Sequence, residues 1–348
     1  MDKRNPYAIT FGRIPNRFIG RDVLIDDIIE TLESDIVEGQ AFKITGIRGT
    51  GKTVTLTAIE KTLRQNDQWI IVDLRPGGNL IDDLVSALYA ESPFLREYID
   101  TNLNLSALGI GIEISRHKPT ITADTALKRL LSEAAKHKKR VLVVIDEVHH
   151  TPALVDFIQQ FQIFIREELP IYLIVAGLYE DIKCIENTDG LTFFLRAEKY
   201  EMTPLNTTVI REDYRRTLDI DYDTADEMAR MTRGYAFAYQ AFGKYMWESG
   251  DKTITDMVLA QVDDALSQKV YNKIWSELRP IDKWFLQFIA QKDSMSATEL
   301  LEMTNKSHNE WSAPRKRLIE KGIIDGSIRG RISLKLPRFK EYIESRED

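Results

Sequence analysis

The sequence predicts an α/β chain: a parallel sheet wound on both faces, then a helical segment, then three helices with a pair of short strands. Three observations lead there. Strand-like and helical runs alternate from Gln40 to about Pro204. The stretch Gly46-Ile47-Arg48-Gly49-Thr50-Gly51-Lys52-Thr53 follows the first strand with the spacing G-x-x-x-x-G-K-T. Val141-Leu142-Val143-Val144-Ile145 is an unbroken apolar run ending in Asp146-Glu147, as expected of a parallel strand buried on both faces.

The elements follow in order. Arg17-Phe18-Ile19-Gly20-Arg21-Asp22 leads into an amphipathic helix from about Val23 to Leu32, with Leu24, Ile25, Ile28, Ile29 and Leu32 at helical spacing. Strands are predicted at Phe42–Thr45, Trp69–Leu74, Val141–Ile145 and Ile171–Ala176, with a further short one at Lys199–Met202. Between 105 and 121, Ile110, Ile112 and Ile114 alternate with glycines and Glu113, which predicts a β-hairpin insertion. Glycine on one face weakens such a strand, and a loop is the alternative. Residues 205–275 carry apolar positions at three- and four-residue spacing and are predicted helical. Beyond them, Ile281–Ala290 is one helix and Ser296-Ala297-Thr298-Glu299 is a capping box opening the next. Pro314–Lys321 forms the core of a third, with Pro314 in its first turn and Gly322 as its C-terminal stop. Ile323–Leu334 reads as two strands around a turn, so this end has the pattern of a winged helix-turn-helix. The expected divisions are 1–204 with the hairpin at 105–121, then 205–279 as a helical lid, then 280–348.

The first motif is the phosphate-cradling P-loop. Its glycines let backbone N–H groups turn toward an anion, and the helix that follows adds the positive end of its dipole. Lys52 would reach the β- and γ-phosphates and the Thr53 hydroxyl would bind Mg²⁺. The candidate nucleotide-binding set is Gly46, Ile47, Arg48, Gly49, Thr50, Gly51, Lys52, Thr53 and Val54. The apolar run with its acidic end looks like a Walker B strand. Asp146 would hold Mg²⁺ through the metal's water shell, and Glu147 would polarise the attacking water. His149 and His150 follow directly. Adjacent histidines do not share a face, and no cysteine or carboxylate cluster completes a metal site with them. They read as loop or helix-start residues, with a part in sensing nucleotide as the alternative.

The chain has 348 residues, 43% of them hydrophobic, enough for two or three packed units. Its formal net charge is -7, so any nucleic-acid surface must be local. A single cysteine, Cys184, excludes a disulfide framework within the chain and fits a reducing, cytoplasmic location. The first residues lack the apolar core of a signal peptide, and no apolar run approaches the ~20 residues of a membrane span.

These motifs, in this order, resemble the AAA+ superfamily. The nearest groups are the origin-recognition-type initiator ATPases and the related archaeal and bacterial predicted ATPases. Phe18-Ile19-Gly20-Arg21-Asp22 resembles the family's F-x-G-R-[DE] box, which implies that Phe18, Ile19 and Arg21 lie near the adenine. Leu195-Arg196-Ala197-Glu198 before Met202-Thr203-Pro204-Leu205 resembles the arginine-finger region and the turn into the lid. Gly234-Tyr235 resembles a lid motif, and Gly330-Arg331 with Leu336-Pro337-Arg338-Phe339 resembles the wing and tail of the winged helix. The resemblance implies binding and hydrolysis of ATP to ADP, with Glu147, Lys52 and Arg196 as catalytic residues. Arg196 would act in trans on a neighbour's site, which requires a homo-oligomer. An arginine before a strand is otherwise a solvated surface charge.

The sequence also departs from the family. Ile171–Ala176 ends in Gly177-Leu178, where many members carry a polar sensor residue. No sensor arginine opens the lid helix, Ala236 replaces the usual proline, and Arg233 is the closest basic candidate. These departures point toward STAND-type switch ATPases, which use nucleotide exchange as a signal.

From Lys306 to Lys340 there are ten basic residues against three acidic ones. Arg315, Lys316 and Arg317 fall on the candidate recognition helix, and Arg329 and Arg331 on the wing, so double-stranded DNA is the expected partner. Trp311 is read as core. The alternative is a winged helix that contacts protein, in a nucleotide-dependent regulatory switch.

Overall fold

A computed structural model describes residues 4–10, 15–34, 39–103, 122–292, 294–328 and 330–346. The hairpin expected at 105–121 lies outside them. The chain forms two compact units, one of Val23–Thr45 with Lys52–Glu201 and one of Met1–Asp22, Gly46–Gly51 and Met202–Asp348.

The first unit is built on a five-stranded parallel sheet in the order β2-β3-β4-β1-β5. Its strands are β1 (Ala41–Thr45), β2 (Trp69–Leu74), β3 (Arg140–Val148), β4 (Ile171–Gly177) and β5 (Glu198–Glu201). They are the predicted runs, and the reason is visible in their burial. Val141, Val143 and Ile145 pack in one core with Leu173 and Val175, while Leu142 and Val144 on the opposite face are equally buried. Both faces are therefore covered, which is what an unbroken apolar run requires. Each such aliphatic side chain contributes roughly 1.5–3 kcal/mol of burial. Among the described residues β5 pairs only with β1, and it alternates half-buried with exposed positions, as an edge strand does. The flanking helices are α1 (Asp22–Glu33), α2 (Lys52–Leu63), α3 (Leu80–Glu91), α4 (Pro93–Asn102), α5 (Ala123–Lys136), α6 (Pro152–Arg166) and α7 (Tyr179–Glu186). α1 buries Ile25, Ile28 and Leu32, three of the five residues that predicted it. At α6, Thr151 accepts a hydrogen bond from the Leu154 amide and Pro152 occupies the first turn, so the helix start is locally encoded. A 3₁₀ helix, Thr192–Arg196, leads into β5.

The second unit is helical: α8 (Thr207–Leu218), α9 (Tyr222–Thr232), α10 (Ala236–Ser249), α11 (Asp256–Leu266), a π-helical turn at Ser267–Tyr271, α12 (Asn272–Ser276) and α13 (Pro280–Ile289). There follow β6 (Met295–Ser296), α14 (Ala297–Thr304), α15 (His308–Glu320), β7 (Ile324–Asp325), β8 (Arg331–Leu334) and α16 (Phe339–Glu344). The three short strands form an antiparallel sheet in the order β6-β8-β7. One apolar core runs through the whole unit, from Tyr214 and Phe242 to Phe285, Phe339 and Tyr342. It continues across residues 279 and 280: the Tyr271 ring lies 4.9 Å from that of Phe339, and its hydroxyl donates to the Pro337 carbonyl.

The capping box at Ser296 and Glu299 is present. The following helix differs from expectation. α15 begins at His308, not at Pro314, because Ser307 and Glu310 form a second capping box. Pro314 therefore sits inside the helix and removes one i→i−4 hydrogen bond. Gly322, with φ +68°, closes the helix as predicted.

Candidate functional site

The phosphate-loop residues Gly46–Gly51 pack with the helical unit. Gly49 and Gly51 have φ of +78° and +94°, a conformation that L side chains rarely adopt. Thr50 donates its hydroxyl to the Ile47 carbonyl at 2.8 Å, closing the turn on itself. Tyr235, just before α10, donates its hydroxyl to the Arg48 carbonyl, and the Phe237 amide donates to the Gly49 carbonyl at 3.0 Å. A Cβ at Gly49 would overlap the Tyr235 hydroxyl, so only glycine fits there. Burial raises the Tyr235 phenol far above its ordinary range, so it stays a donor. Arg21, 5% exposed, donates to the Thr50 carbonyl at 3.3 Å, and burial lowers its pKa. Carbonyls of this loop, at Ile47, Arg48, Gly49 and Thr50, are thus bonded from within the unit.

In the sheet unit, Lys52 and Thr53 open α2 and Val54 follows them. The Thr53 hydroxyl donates to Asp146 Oδ2 at 2.5 Å. β3 carries a bulge here: Ile145 pairs with Val175 and Val148 with Gly177, so one extra residue is inserted. Glu147 takes up the insertion with φ +53°, a rare conformation for a residue with a side chain. Its amide donates to Asp146 Oδ1 at 2.8 Å. The bulge thus falls at the two acids, Asp146 half-buried and Glu147 exposed. It also brings the Val148 carbonyl to 2.9 Å from where a Cβ on Gly177 would be, so no side chain fits at that position. Glu60 on α2 is pushed above the ordinary carboxylate range by burial and by the charge and hydrogen bond of Asp73, with Arg64 opposing and Asp146 adding to the rise. Thr53 and Asp146 offer only hard oxygen donors, which fits a magnesium ion that completes its shell with water and phosphate. His149 and His150 are exposed, and the His149 Nδ1 lies 3.2 Å from the Glu147 carbonyl.

Comparison with known proteins agrees with this fold. Residues 37–183 match a family described as an AAA domain, and residues 268–343 match the domain of unknown function DUF8462. No curated protein matches the sequence. The ORC2 protein of Aeropyrum pernix, in its ADPNP-ADP complexes, superposes with a TM-score of 0.58 at 14% identity, over 97% of this chain and 96% of that one. Its ADP form gives a TM-score of 0.50 at 15% identity, with coverage of 97% and 96%. Cdc6p of Pyrobaculum aerophilum gives 0.49 at 16% identity, again with 97% and 96% covered. At such identities the likeness to ORC2 shows the fold. This is the fold of an AAA+ P-loop ATPase.

The remaining candidate residues differ in exposure and in bonding. Phe18 and Ile19 are half-buried, and Ile19 packs on the core of the helical unit. Arg196 is exposed at the end of the 3₁₀ helix. Arg233, in the left-handed region at the end of α9, donates to the Leu334 carbonyl of β8. On α15, Arg317 holds Asp282 bidentately at 2.6 and 3.2 Å, and Asp282 is fully buried. Arg317, a DNA-contact candidate, is thus engaged in an ion pair within the unit. Lys316 and Arg331 are exposed, Arg315 is half-buried beside Gly326, and Arg329 lies outside the described residues. Other charges in the basic stretch are paired as well, Lys306 with Glu310 at 2.8 Å and Arg338 with Asp263. Trp311 is 2% exposed and lies against Phe285, in the core as expected.

Sequence reasoning missed the grip of Tyr235 on the loop and the role of Lys43 inside β1. The first had no local signal. The second had one: a lysine in the centre of the run Ala41-Phe42-Lys43-Ile44-Thr45, buried at every position. Among the described residues, no helix is long and apolar enough to cross a membrane.

Proposed function

We propose that this protein binds Mg-ATP and hydrolyses it to ADP, and that it couples the nucleotide state to double-stranded DNA through a C-terminal winged helix. The observation that carries the reading is the 2.5 Å pairing of Thr53 with Asp146 at the start of the helix that follows a G-x-x-x-x-G-K-T loop. The amides of Gly46–Gly51, with Val54 in the first turn of α2, bind the phosphates, and Lys52 neutralises the β/γ oxygens. Bound magnesium would withdraw charge from the phosphate oxygens. Thr53 and Asp146 orient it, Glu147 orients and deprotonates the attacking water, and Arg196 neutralises charge at a neighbouring subunit's site. Phe18, Ile19 and Arg21 flank the adenine. The ADPNP-ADP complexes named for the ORC2 structure support a nucleotide at this fold. Residues 205–279 serve as the lid and 280–348 as the winged helix, with three helices and the β6-β8-β7 sheet in support. Lys316, Arg331 and Arg315 are its phosphate contacts. The test is the ATPase rate with and without duplex DNA, alongside native mass in the ATP-bound state. No Mg-dependent ATP or ADP affinity would overturn the reading.

One observation favours a second reading, a nucleotide-dependent switch whose winged helix contacts protein. Ile47 packs on the core of the helical unit, and Arg48 pairs at 3.0 Å with Glu277, just before α13. The phosphate loop is thus wired directly to the C-terminal elements. Slow turnover, retained ADP and no DNA affinity would select this reading.

A further inference from the structure

Lys43 stands in the middle of β1 and is 1% exposed. An ammonium taken out of water persists only when paired and fully hydrogen-bonded. Its Nζ donates at 2.8 Å to Glu186 Oε1 at the end of α7 and at 2.8 Å to the Phe194 carbonyl. A longer contact of 3.5 Å reaches the Leu195 carbonyl, and the Phe194 ring centroid lies 5.2 Å away. Phe194 and Leu195 belong to the 3₁₀ helix that ends at Arg196. The Phe194 carbonyl already accepts the Ala197 amide at 3.2 Å, and the buried lysine adds a second donor to it and reaches the Leu195 carbonyl beside it. Glu186 also takes Lys199 of β5 at 3.3 Å, so one carboxylate ties down both flanks of the short helix. Burial alone would raise the Glu186 carboxyl, but the hydrogen bonds and charges of Lys43 and Lys199 outweigh it and hold the group below its ordinary value. The outer face of the helix is open: Leu195 is 53% exposed and Arg196 is exposed, with no ion pair to Arg196 among the described residues.

We propose that Lys43 is a positioning residue for Arg196: from inside β1 it clamps the short helix that presents the arginine to a neighbouring subunit. The inference rests on the trans-acting role given to Arg196 above. It adds a coupling, because the strand that holds the clamp is the strand that feeds the phosphate loop. A finger displaced by an ångström loses much of its effect, since charge stabilisation of phosphoryl transfer depends on placement.

The test is subunit mixing with the full-length chain. Lys43→Met keeps the length of the apolar stem and removes the donors. It should keep ATP affinity and ATP-bound mass while turnover at saturating ATP falls about 10- to 100-fold. Arg196→Ala should fall at least as far. Each variant is then mixed with Glu147→Gln, whose own site is inactive but whose finger is intact. Its finger should restore turnover at the active sites of both Lys43→Met and Arg196→Ala. A lysine that merely stabilised the fold would not be rescued by a neighbour. Rescue of Arg196→Ala without rescue of Lys43→Met overturns the clamp alone, as does wild-type turnover in Lys43→Met. Wild-type turnover in Arg196→Ala, or its failure to be rescued, overturns the trans reading and the clamp with it. Should Lys43→Met not fold, Phe194→Leu loosens the same helix from its own side and is scored the same way.

Discussion

The hydroxyl of Tyr235 donates to the backbone carbonyl of Arg48, so a residue at the start of α10 holds the phosphate loop by its main chain. The same residue explains Gly49, since no side chain fits beneath the phenol. Tyr235→Phe keeps the ring and deletes the donor. Stability should drop by about 0.5–1.5 kcal/mol, the net worth of one such bond, and ATP affinity should weaken several-fold. Denaturant unfolding and nucleotide titration measure the two effects. Unchanged values in both would mean that the loop keeps its shape without the phenol.

The bulge at Asp146-Glu147 predicts separable roles for binding and chemistry. Lys52→Ala should lose ATP affinity, because the ammonium that neutralises the phosphates is gone. Glu147→Gln should bind ATP as the parent does and turn over about 100-fold more slowly or worse, having lost its base. Equilibrium binding and steady-state phosphate release distinguish these outcomes. Parent-like turnover in Glu147→Gln would remove that residue from the chemistry.

Arg317 and Lys316 are adjacent on α15 but should behave in opposite ways. Arg317→Ala leaves Asp282 buried without its partner and should destabilise the fold by roughly 3–5 kcal/mol. Lys316→Ala with Arg331→Ala should leave stability within about 0.5 kcal/mol, weaken duplex binding and flatten its salt dependence. A chain cut before residue 280 is a poor probe of the same question, because it removes the Phe339 and Pro337 partners of Tyr271. Unaltered DNA affinity in the double variant would move the DNA site off this face.

Acid should loosen the C-terminal elements. The Glu299 carboxyl is held at about 2 by the Ser296 amide and then by Lys292. Glu310 is held at about 2 by Lys306 and then by the Ser307 amide. Both lie below the ordinary glutamate value of 4.5. A carboxyl depressed in the folded state stabilises it above the unfolded value, and that contribution is lost as pH falls from about 4.5 through 2. Tm should decline across this window, and less steeply in Glu310→Gln than in the parent. Identical acid limbs would mean that the α15 capping box contributes nothing.

The sequence by itself determined whatever depends on neighbours along the chain. Apolar runs specified the central strands β3 and β4, because a strand buried on both faces is built mainly from apolar positions. Glycine spacing specified the phosphate loop and its helix start, since φ values of +78° and +94° demand that residue type. Even the true start of α15 was written locally, in Ser307 and Glu310, and was obscured only by reading Pro314 as a first-turn residue. Only the tertiary structure decided the rest. Tyr235 meets Arg48 across 187 positions, Lys43 meets Phe194 across 151, and Arg317 turns from solvent to Asp282 across 35. Periodicity reports which face of an element is buried, but not which distant carbonyl or carboxylate waits there. A buried donor takes whichever acceptor the fold brings within reach, and that choice is made by packing.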